Sequence, residues 1–214
     1  MRKIIKGAWF KAGLIFVLVA CSSGNNKDDN QEAANQTTQI PQSGSTPNVY
    51  YLNNEDNISF GEINLESPVF IKIDNKTLRR ITKDSKTKYR DDENQNLYEI
   101  KYSDDGFKLR TDQGRLLWKI KYKPGKIKLA DNEEMNDAFD LKQQGDNVTI
   151  SKNENPFKTI NLGYGSVPAV IKTANRTLIV TGPAKKPVFA ILSLSDIPTD
   201  QQMVLIAELL FSGQ

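Results

Sequence analysis

Histidine is absent from this chain of 214 residues, and cysteine occurs only once. Without histidine the chain has no His-ligated metal site, no Ser-His-Asp or Cys-His nucleophile and no imidazole pH switch. A single cysteine excludes an internal disulfide framework and a cysteine cluster for zinc or iron–sulfur. The sequence therefore identifies no metal site, no cofactor and no catalytic residue.

Long hydrophobic runs are also absent, and the run nearest the N-terminus covers only the nine residues Ala12–Ala20. As a helix it would rise roughly 14 Å, about half of a ~30 Å hydrocarbon core. The preceding segment contains four basic residues and no acidic one. A basic start followed by a short apolar run is typical of a secretory signal peptide, which we predict over residues 1–20.

The only cysteine follows this apolar run directly, in the order Leu18-Val19-Ala20-Cys21. This segment resembles the lipobox of bacterial lipoproteins. The resemblance implies cleavage before Cys21, a diacylglycerol thioether on its sulfur and acylation, for instance by palmitate, of the new amino group. Two or three acyl chains would anchor the protein stably to a membrane. The alternative is an ordinary signal peptide followed by a buried or free thiol.

Ser22 follows the predicted lipidated residue where an aspartate would favour retention at the inner membrane. By analogy with enterobacterial sorting, serine favours the periplasmic face of the outer membrane if the organism has two membranes. Residues 21–48 are rich in Ser, Asn, Gln, Gly and Pro, so we predict that Cys21 is followed by a disordered tether. Residues 49–214 form the predicted domain.

Removing the signal peptide changes the charge of the protein. The whole chain carries a net charge of +3, but residues 21–214 contain 25 basic and 26 acidic residues, a net charge of −1. The basic isoelectric point of the whole chain is therefore no indication of nucleic-acid binding.

The predicted domain repeats a β-hairpin pattern. Units begin at Tyr98, Trp118, Phe139 and Phe157, at spacings of 20, 21 and 18 residues, and a fifth begins at Phe70. Apolar and charged residues alternate within the units, and Asp-Gly, Gln-Gly and Pro-Gly pairs separate the runs. Period-two alternation with such turns predicts antiparallel β-structure in which the lysines lie on the outer face.

A different pattern ends the chain. Thr199 and Gln202 fit a capping box, which predicts a helix over about residues 199–212. Its segment Met203–Phe211 is apolar on all sides, with Glu208 as the exception. A helix of this kind is buried in a core, since nine residues are too few to span a bilayer. We therefore expect a β-barrel that encloses the helix.

Residues 70–211 resemble the tubby-like and LURP-one-related family, which includes the phospholipid scramblases. The resemblance rests on the consecutive hairpins from Phe107 to Asp131 and on the final segment Asp196–Phe211, which ends in the apolar helix. It implies about twelve antiparallel strands around the C-terminal helix, and it carries over no binding residue. The alternative is an eight-stranded lipocalin-like barrel with a flanking helix.

A basic stripe is the main candidate for a binding surface. Residues 98–130 contain nine basic and four acidic residues, and the alternation places most of the basic ones on one face. Such a face suits anionic lipid or glycan, while the alternative is a solvated sheet face that resists aggregation. Nucleic acid is not expected, because the aromatic residues alternate onto the opposite face. The candidate residues are Lys108, Arg110, Lys119, Lys121, Lys123, Lys126 and Lys128.

Three other features carry weaker signals. The segment Gly163–Ser166 lacks the spacing of a nucleophile elbow, so a turn is the favoured interpretation, although a Ser-Lys pair is conceivable. The acidic pairs Asp91-Asp92 and Glu133-Glu134 lack the spacing of a calcium loop and are interpreted as soluble turns.

These observations predict a non-enzymatic, membrane-anchored lipoprotein of the bacterial cell envelope that acts as a binding or assembly module. Its partners would be the membrane, reached through the lipid anchor, and an anionic lipid, a glycan or an envelope protein. The alternatives are a lipid-handling or hydrolytic envelope enzyme without histidine, or a structural or secretion-system accessory protein. The sequence leaves the oligomeric state open.

Overall fold

The computed structural model describes residues 48–163, 169–172, 177–183 and 186–214. These residues belong to one compact unit, Ser43–Gln214. Within the described residues, this unit contains all the strands, both helices and the hydrophobic core. The predicted signal peptide, Cys21 and nearly all of the predicted tether lie outside the described residues, as does Ser166.

Antiparallel hairpins build almost the whole unit. The strands are β1 (Val49–Asn53), β2 (Ser59–Asn64), β3 (Phe70–Ile73), β4 (Lys76–Lys83), β5 (Lys86–Arg90), β6 (Asn96–Ser103), β7 (Gly106–Thr111), β8 (Leu116–Lys123), β9 (Lys126–Ala130), β10 (Phe139–Gln144), β11 (Asn147–Lys152), β12 (Asn155–Asn161), β13 (Ala169–Lys172) and β14 (Thr177–Thr181). A 3₁₀ helix (Pro187–Ser193) and helix α1 (Thr199–Phe211) follow.

The strands form one sheet in the order β12-β11-β10-β9-β8-β7-β6-β5-β4-β3-β2-β1-β14-β13, with every neighbouring pair antiparallel. Its two end strands, β12 and β13, lie close together, so the sheet is a nearly closed barrel. The predicted antiparallel hairpin barrel with a buried C-terminal helix is confirmed. The described residues form fourteen strands that enclose the helix, so the eight-stranded alternative with a flanking helix is wrong.

Apolar and polar residues alternate along the strands, and this alternation explains why one face of the sheet forms a buried core. Tyr98, Trp118 and Phe139, which begin three of the predicted units, are buried. Phe157 begins the fourth unit but is 55% exposed. The pairing of β11 with β12 shifts register between Ile150 and Ser151, and this bulge accommodates Phe157 as an extra residue. Its ring still contacts Phe139 edge-on at 6.2 Å between centroids.

The first residue of β7 must be a glycine for a reason that the turn pattern does not predict. Gly106 pairs with Lys121, and a Cβ at Gly106 would lie 1.9 Å from the carbonyl oxygen of Ile120. Its φ is not positive, unlike that of Gly114 or Gly125. Gly106 is therefore required for close strand approach rather than for a left-handed turn.

Helix α1 fills the interior of the sheet. All residues from Gln202 to Leu210 are buried, and Met203 lies against Gly61 on β2. The predicted capping box is wrong: Thr199 is already helical, and Pro198 occupies the N-cap position without a side-chain cap. Gln202 instead donates a hydrogen bond from Nε2 to the carbonyl oxygen of Leu194 at 2.7 Å, because its side chain is buried against the preceding loop.

Candidate functional site

The outer face of β6–β10 carries six of the seven predicted basic residues in three cross-strand rows, while Arg110 pairs with Glu99 and Leu116. One row joins Lys101, Lys108 and Lys119, because Lys108 pairs with both of the others. The second row joins Lys121, Lys128 and Asp140, and the third joins Lys123, Lys126 and Lys142. Lys142 belongs to this face but was not among the predicted residues, because it lies on β10, outside the stripe defined over residues 98–130.

Glu133 neutralises one end of this face. Its carboxylate lies 2.7 Å from Lys108 Nζ, 2.9 Å from an Arg110 amino group and 3.6 Å from Lys119 Nζ. Lys119 also donates to the backbone carbonyl oxygen of Glu133. The hydrogen bond with Lys108 lowers the pKa of the Glu133 carboxyl below its usual value. The interpretation of Glu133 as a residue of a soluble turn is therefore incomplete, since it binds three cations across two strands.

Two further carboxylates lie among the remaining lysines. Asp105 is 2.6 Å from Lys121 Nζ, and the hydrogen bond with that lysine lowers the pKa of Asp105. Asp140 lies 3.3 Å from Lys126 Nζ and 3.8 Å from Lys128 Nζ. The side chain of Asp140 is largely buried, and its Oδ1 atom makes no hydrogen bond among the described residues. Asp140 therefore forms long ion pairs with two lysines, and its Oδ1 atom is left without a hydrogen bond.

The third row keeps most of its positive charge. Lys123 and Lys142 have no ion-pair partner among the described residues, and Lys126 has only the shared contact with Asp140. A hollow of about 300 Å³ lies beside them and is lined by residues of β8, β9 and the turn before β7. The structure thus divides the predicted stripe into a neutralised end at Glu133 and a cationic end at the β8–β9 hairpin.

A second cluster of charged and polar groups lies inside the barrel. Glu208, the one charged residue in the apolar helix segment, is fully buried. Its carboxylate accepts hydrogen bonds from Arg80 Nε at 2.8 Å, from the Tyr89 hydroxyl at 2.7 Å and from the Tyr102 hydroxyl. The sequence pattern marks Glu208 as an exception, but its partners lie more than 100 residues away and could not be identified from spacing.

The electrostatics of this cluster follow from burial and from the carboxylate. Burial first, and then the negative charge of Glu208, raises the pKa of Tyr102 to about 12. The same two causes raise the pKa of Tyr89 well above its ordinary value. Burial acts to lower the pKa of Arg80, but the hydrogen bond with Glu208 and its charge outweigh burial, so the net shift is upward. The cluster therefore holds neutral tyrosines beside a buried ion pair.

Polar contacts also attach the other end of α1 to the barrel. Trp118 Nε1 donates to Gln201 Oε1 at 2.8 Å, and the Tyr98 hydroxyl donates to Asp200. Burial first, and then the hydrogen bond with Asp200, raises the pKa of Tyr98. Helix α1 is thus held by directional contacts at both ends, in addition to its apolar packing.

A cavity of about 990 Å³ opens at the barrel mouth beside the Glu208 cluster. Its lining comes from β4, β5, β6, the β4–β5 turn and the C-terminal end of α1. Arg80 lies at its inner side and stacks on the Phe211 ring, with 4.4 Å from the guanidinium carbon to the ring centroid. The sequence predicts no such cavity, because its walls come from distant segments.

The conceivable Ser-Lys pair involves Ser166, which lies outside the described residues, so that alternative stays a prediction. The acidic pairs can be compared with the structure. Asp91 accepts from the backbone amides of its own turn, and Asp92 pairs with Arg79 at 3.0 Å.

Among the described residues, no group of three or more histidine, cysteine, aspartate or glutamate side chains is placed to hold a metal ion. In the same part of the chain, neither helix combines the length and the hydropathy that crossing a bilayer requires.

Comparisons of the chain with protein-family models, with curated proteins and with solved structures found no match. The likeness to the tubby-like and LURP-one-related family therefore stays a prediction that rests on the sequence pattern.

Proposed function

We propose that this protein is a non-enzymatic, lipid-anchored binding module of the bacterial cell envelope, and that the cationic end of its outer sheet face binds anionic lipid headgroups. The observation that supports this proposal most directly is the row formed by Lys123, Lys126 and Lys142 on three neighbouring strands. Phosphate and carboxylate groups are the natural partners of such a row.

Placing like charges directly opposite one another destabilises a sheet. In the β8–β9 hairpin, Lys121 opposes Lys128 and Lys123 opposes Lys126. At the other end of the face, Glu133 offsets the corresponding repulsion, but Lys123 has no such partner among the described residues. An anion bound at the hairpin would offset the repulsion there, and this is the physical reason for placing the binding site at that end.

Anchoring complements weak electrostatic binding. A tether of about 27 residues has an r.m.s. span of roughly 25–30 Å, so it would keep the domain near the membrane without fixing its orientation. Each lysine near an anionic surface contributes about 1 kcal/mol. The anchor at Cys21 would supply the stable attachment, and the lysine row would orient the domain.

Vesicle co-sedimentation tests the lysine row. The chain from Ser22 to Gln214 is incubated with phosphatidylcholine vesicles that contain or lack phosphatidylglycerol, over a salt series. We expect binding only with the anionic lipid, weakening steeply as salt rises because exposed charges are screened. The double variant Lys123→Glu/Lys142→Glu should lose this binding. The matched variant Lys76→Glu/Lys83→Glu changes the same charge on β4 and should retain it.

Equal binding by the two double variants would show that the row is not the site. Lipopolysaccharide and peptidoglycan sacculi are tested in parallel, and selective retention on sacculi would reject lipid headgroups as the ligand. Capture of a distinct envelope protein by the wild-type chain with no vesicle binding would favour the accessory-protein alternative instead.

Lipidation is tested separately in the full chain. We expect palmitate labelling of the wild-type protein and its loss in Cys21→Ala, which should also remain uncleaved. Labelling that persists in Cys21→Ala would exclude a lipid anchor at this residue. This result is independent of the vesicle experiment, so the two parts of the proposal can fail separately.

A further inference from the structure

The cavity at the barrel mouth has the size and the chemistry of a ligand site. Its volume of about 990 Å³ lies within the range of small-molecule pockets. We propose that it binds a small organic acid with an apolar chain, such as an alkyl phosphate, through the groups around Arg80, Lys86, Lys101 and Phe211. This proposal concerns the cavity at the barrel mouth and does not depend on the lysine row formed by Lys123, Lys126 and Lys142.

Unused donors lie at the inner side of the cavity. Arg80 donates from Nε to Glu208, from one amino group to Thr82 at 3.0 Å and from the other to Tyr102 at 2.8 Å. A guanidinium has five N–H groups, so two remain without a partner among the described residues. The side chain is 17% exposed, which leaves part of it open to the cavity. A ligand oxygen could therefore accept a hydrogen bond there.

The charge around the cavity selects an anion. The positive charge of Arg80 is offset by Glu208, and Glu99 lies 3.8 Å from Lys88. Lys86 and Lys101 also line the cavity, and neither has an ion-pair partner among the described residues. These two ammonium groups give the rim a net positive charge. The acidic group of the ligand is therefore placed between the rim lysines and the remaining N–H groups of Arg80, all of which line the cavity.

The apolar chain of the proposed ligand is inferred from the hydrophobic side chains that line the cavity. Phe211 is the last residue of α1 and is 39% exposed, although most of the helix segment before it is fully buried. Phe211 and Ile100 both line the cavity. Covering an exposed aromatic ring is favourable by about 25 cal/mol per Å² of apolar area removed from water. An inorganic anion would leave this contribution unused.

Isothermal titration calorimetry tests the site with hexyl phosphate as the probe and the Ser22–Gln214 chain as the protein. Hexyl glucoside serves as the neutral control with the same chain, and inorganic phosphate as the control without one. We expect hexyl phosphate to bind at least about tenfold more tightly than either. Dihexanoyl phosphatidic acid, added as monomers, distinguishes a diacyl lipid from a single-chain acid as the preferred source of this chemistry.

Surface variants locate the binding without unfolding the barrel. Lys86→Gln/Lys101→Gln should weaken hexyl phosphate about tenfold and leave hexyl glucoside unchanged, while Lys83→Gln, on the same hairpin but outside the lining, should have no effect. Phe211→Ala should weaken hexyl phosphate but not inorganic phosphate.

The proposal is overturned if hexyl phosphate fails to saturate the wild-type chain, if hexyl glucoside binds equally well, or if the rim variant binds like Lys83→Gln. Binding that is lost in the lysine-row variant Lys123→Glu/Lys142→Glu would assign the probe to the outer face instead. That last result would support the proposed function while rejecting a site at the barrel mouth.

Discussion

The ion pair between Arg80 and Glu208 allows a quantitative test of how α1 is held. Replacing Arg80 by Met keeps much of the side-chain volume but leaves a fully buried carboxylate with only its two tyrosine donors. Breaking a buried ion pair from one side costs about 3–5 kcal/mol. We expect Arg80→Met to lie near the lower limit, about 3 kcal/mol, because two hydrogen bonds to the carboxylate remain.

The reciprocal variant, Glu208→Leu, removes the carboxylate and leaves Arg80 unpaired. Since Arg80 is 17% exposed, it can reach water at the barrel mouth, but the buried hydroxyl of Tyr89 loses its acceptor. We expect a cost of about 3 kcal/mol for these combined losses. The double variant has no uncompensated charge and should lose only about 2 kcal/mol, mostly for the tyrosine hydroxyls.

A double-mutant cycle measured by equilibrium urea unfolding of the Ser22–Gln214 chain checks this reasoning. The two single variants should sum to about 6 kcal/mol while the double variant loses about 2 kcal/mol, which is a coupling of about 4 kcal/mol. Additive losses in the double variant would refute the reasoning, because they would show that the two side chains stabilise the barrel independently. A change in the urea dependence of the unfolding free energy would indicate that a variant altered compactness instead.

Burial, strand approach and pH give three further predictions. Leu205→Asp should abolish the cooperative thermal transition, because it buries an unpaired charge at a fully buried helix position. Phe211→Asp, at the exposed end of the helix, is the matched control and should stay folded. A folded Leu205→Asp variant would place the helix at the surface. Gly106→Ala should lower the free energy of unfolding by about 2 kcal/mol, since its Cβ would lie 1.9 Å from the Ile120 carbonyl oxygen, and a wild-type urea midpoint would show that the strands separate freely. Burial, and then the charge of Glu208, raise the pKa of Tyr102 from 10.0 to about 12. The contribution of Tyr102 to the free energy of unfolding is therefore complete below pH 10.0 and is lost as the pH rises to about 12. Tyr102→Phe should lose less stability over this pH range in unfolding experiments, and the same loss as in the wild-type chain would contradict the assignment of this pKa to Tyr102.

The barrel itself could be predicted from local pattern. Alternation and turn residues identify the hairpins, and a strand that belongs to consecutive hairpins pairs with its neighbours in chain order. This holds for the twelve strands from β1 to β12, which follow one another in the sheet. The bulge at Phe157 could not be predicted, because a one-residue register shift depends on how β11 and β12 fit the curvature of the barrel.

The two candidate sites differ in how much of each could be predicted from the sequence. The basic stripe follows from period-two alternation, so Lys108, Lys119 and Lys123 can be placed on one face from local pattern alone. The division of that face into a neutralised and a cationic end could not be predicted, because Glu133 and Asp140 come from other segments and reach the lysines only across strands. Lys142 was missed because it lies on β10, outside the stripe defined over residues 98–130.

The amino-acid sequence by itself determined the hairpins, the lysines on the outer face and an apolar terminal segment that had to be buried. Each of these three features depends on residues only a few positions apart. Tertiary structure alone decided that Glu208 meets Arg80, Tyr89 and Tyr102, and that their meeting leaves a cavity at the barrel mouth. Those contacts join positions more than 100 residues apart, and their geometry is set by closure of the sheet around α1 rather than by any local preference.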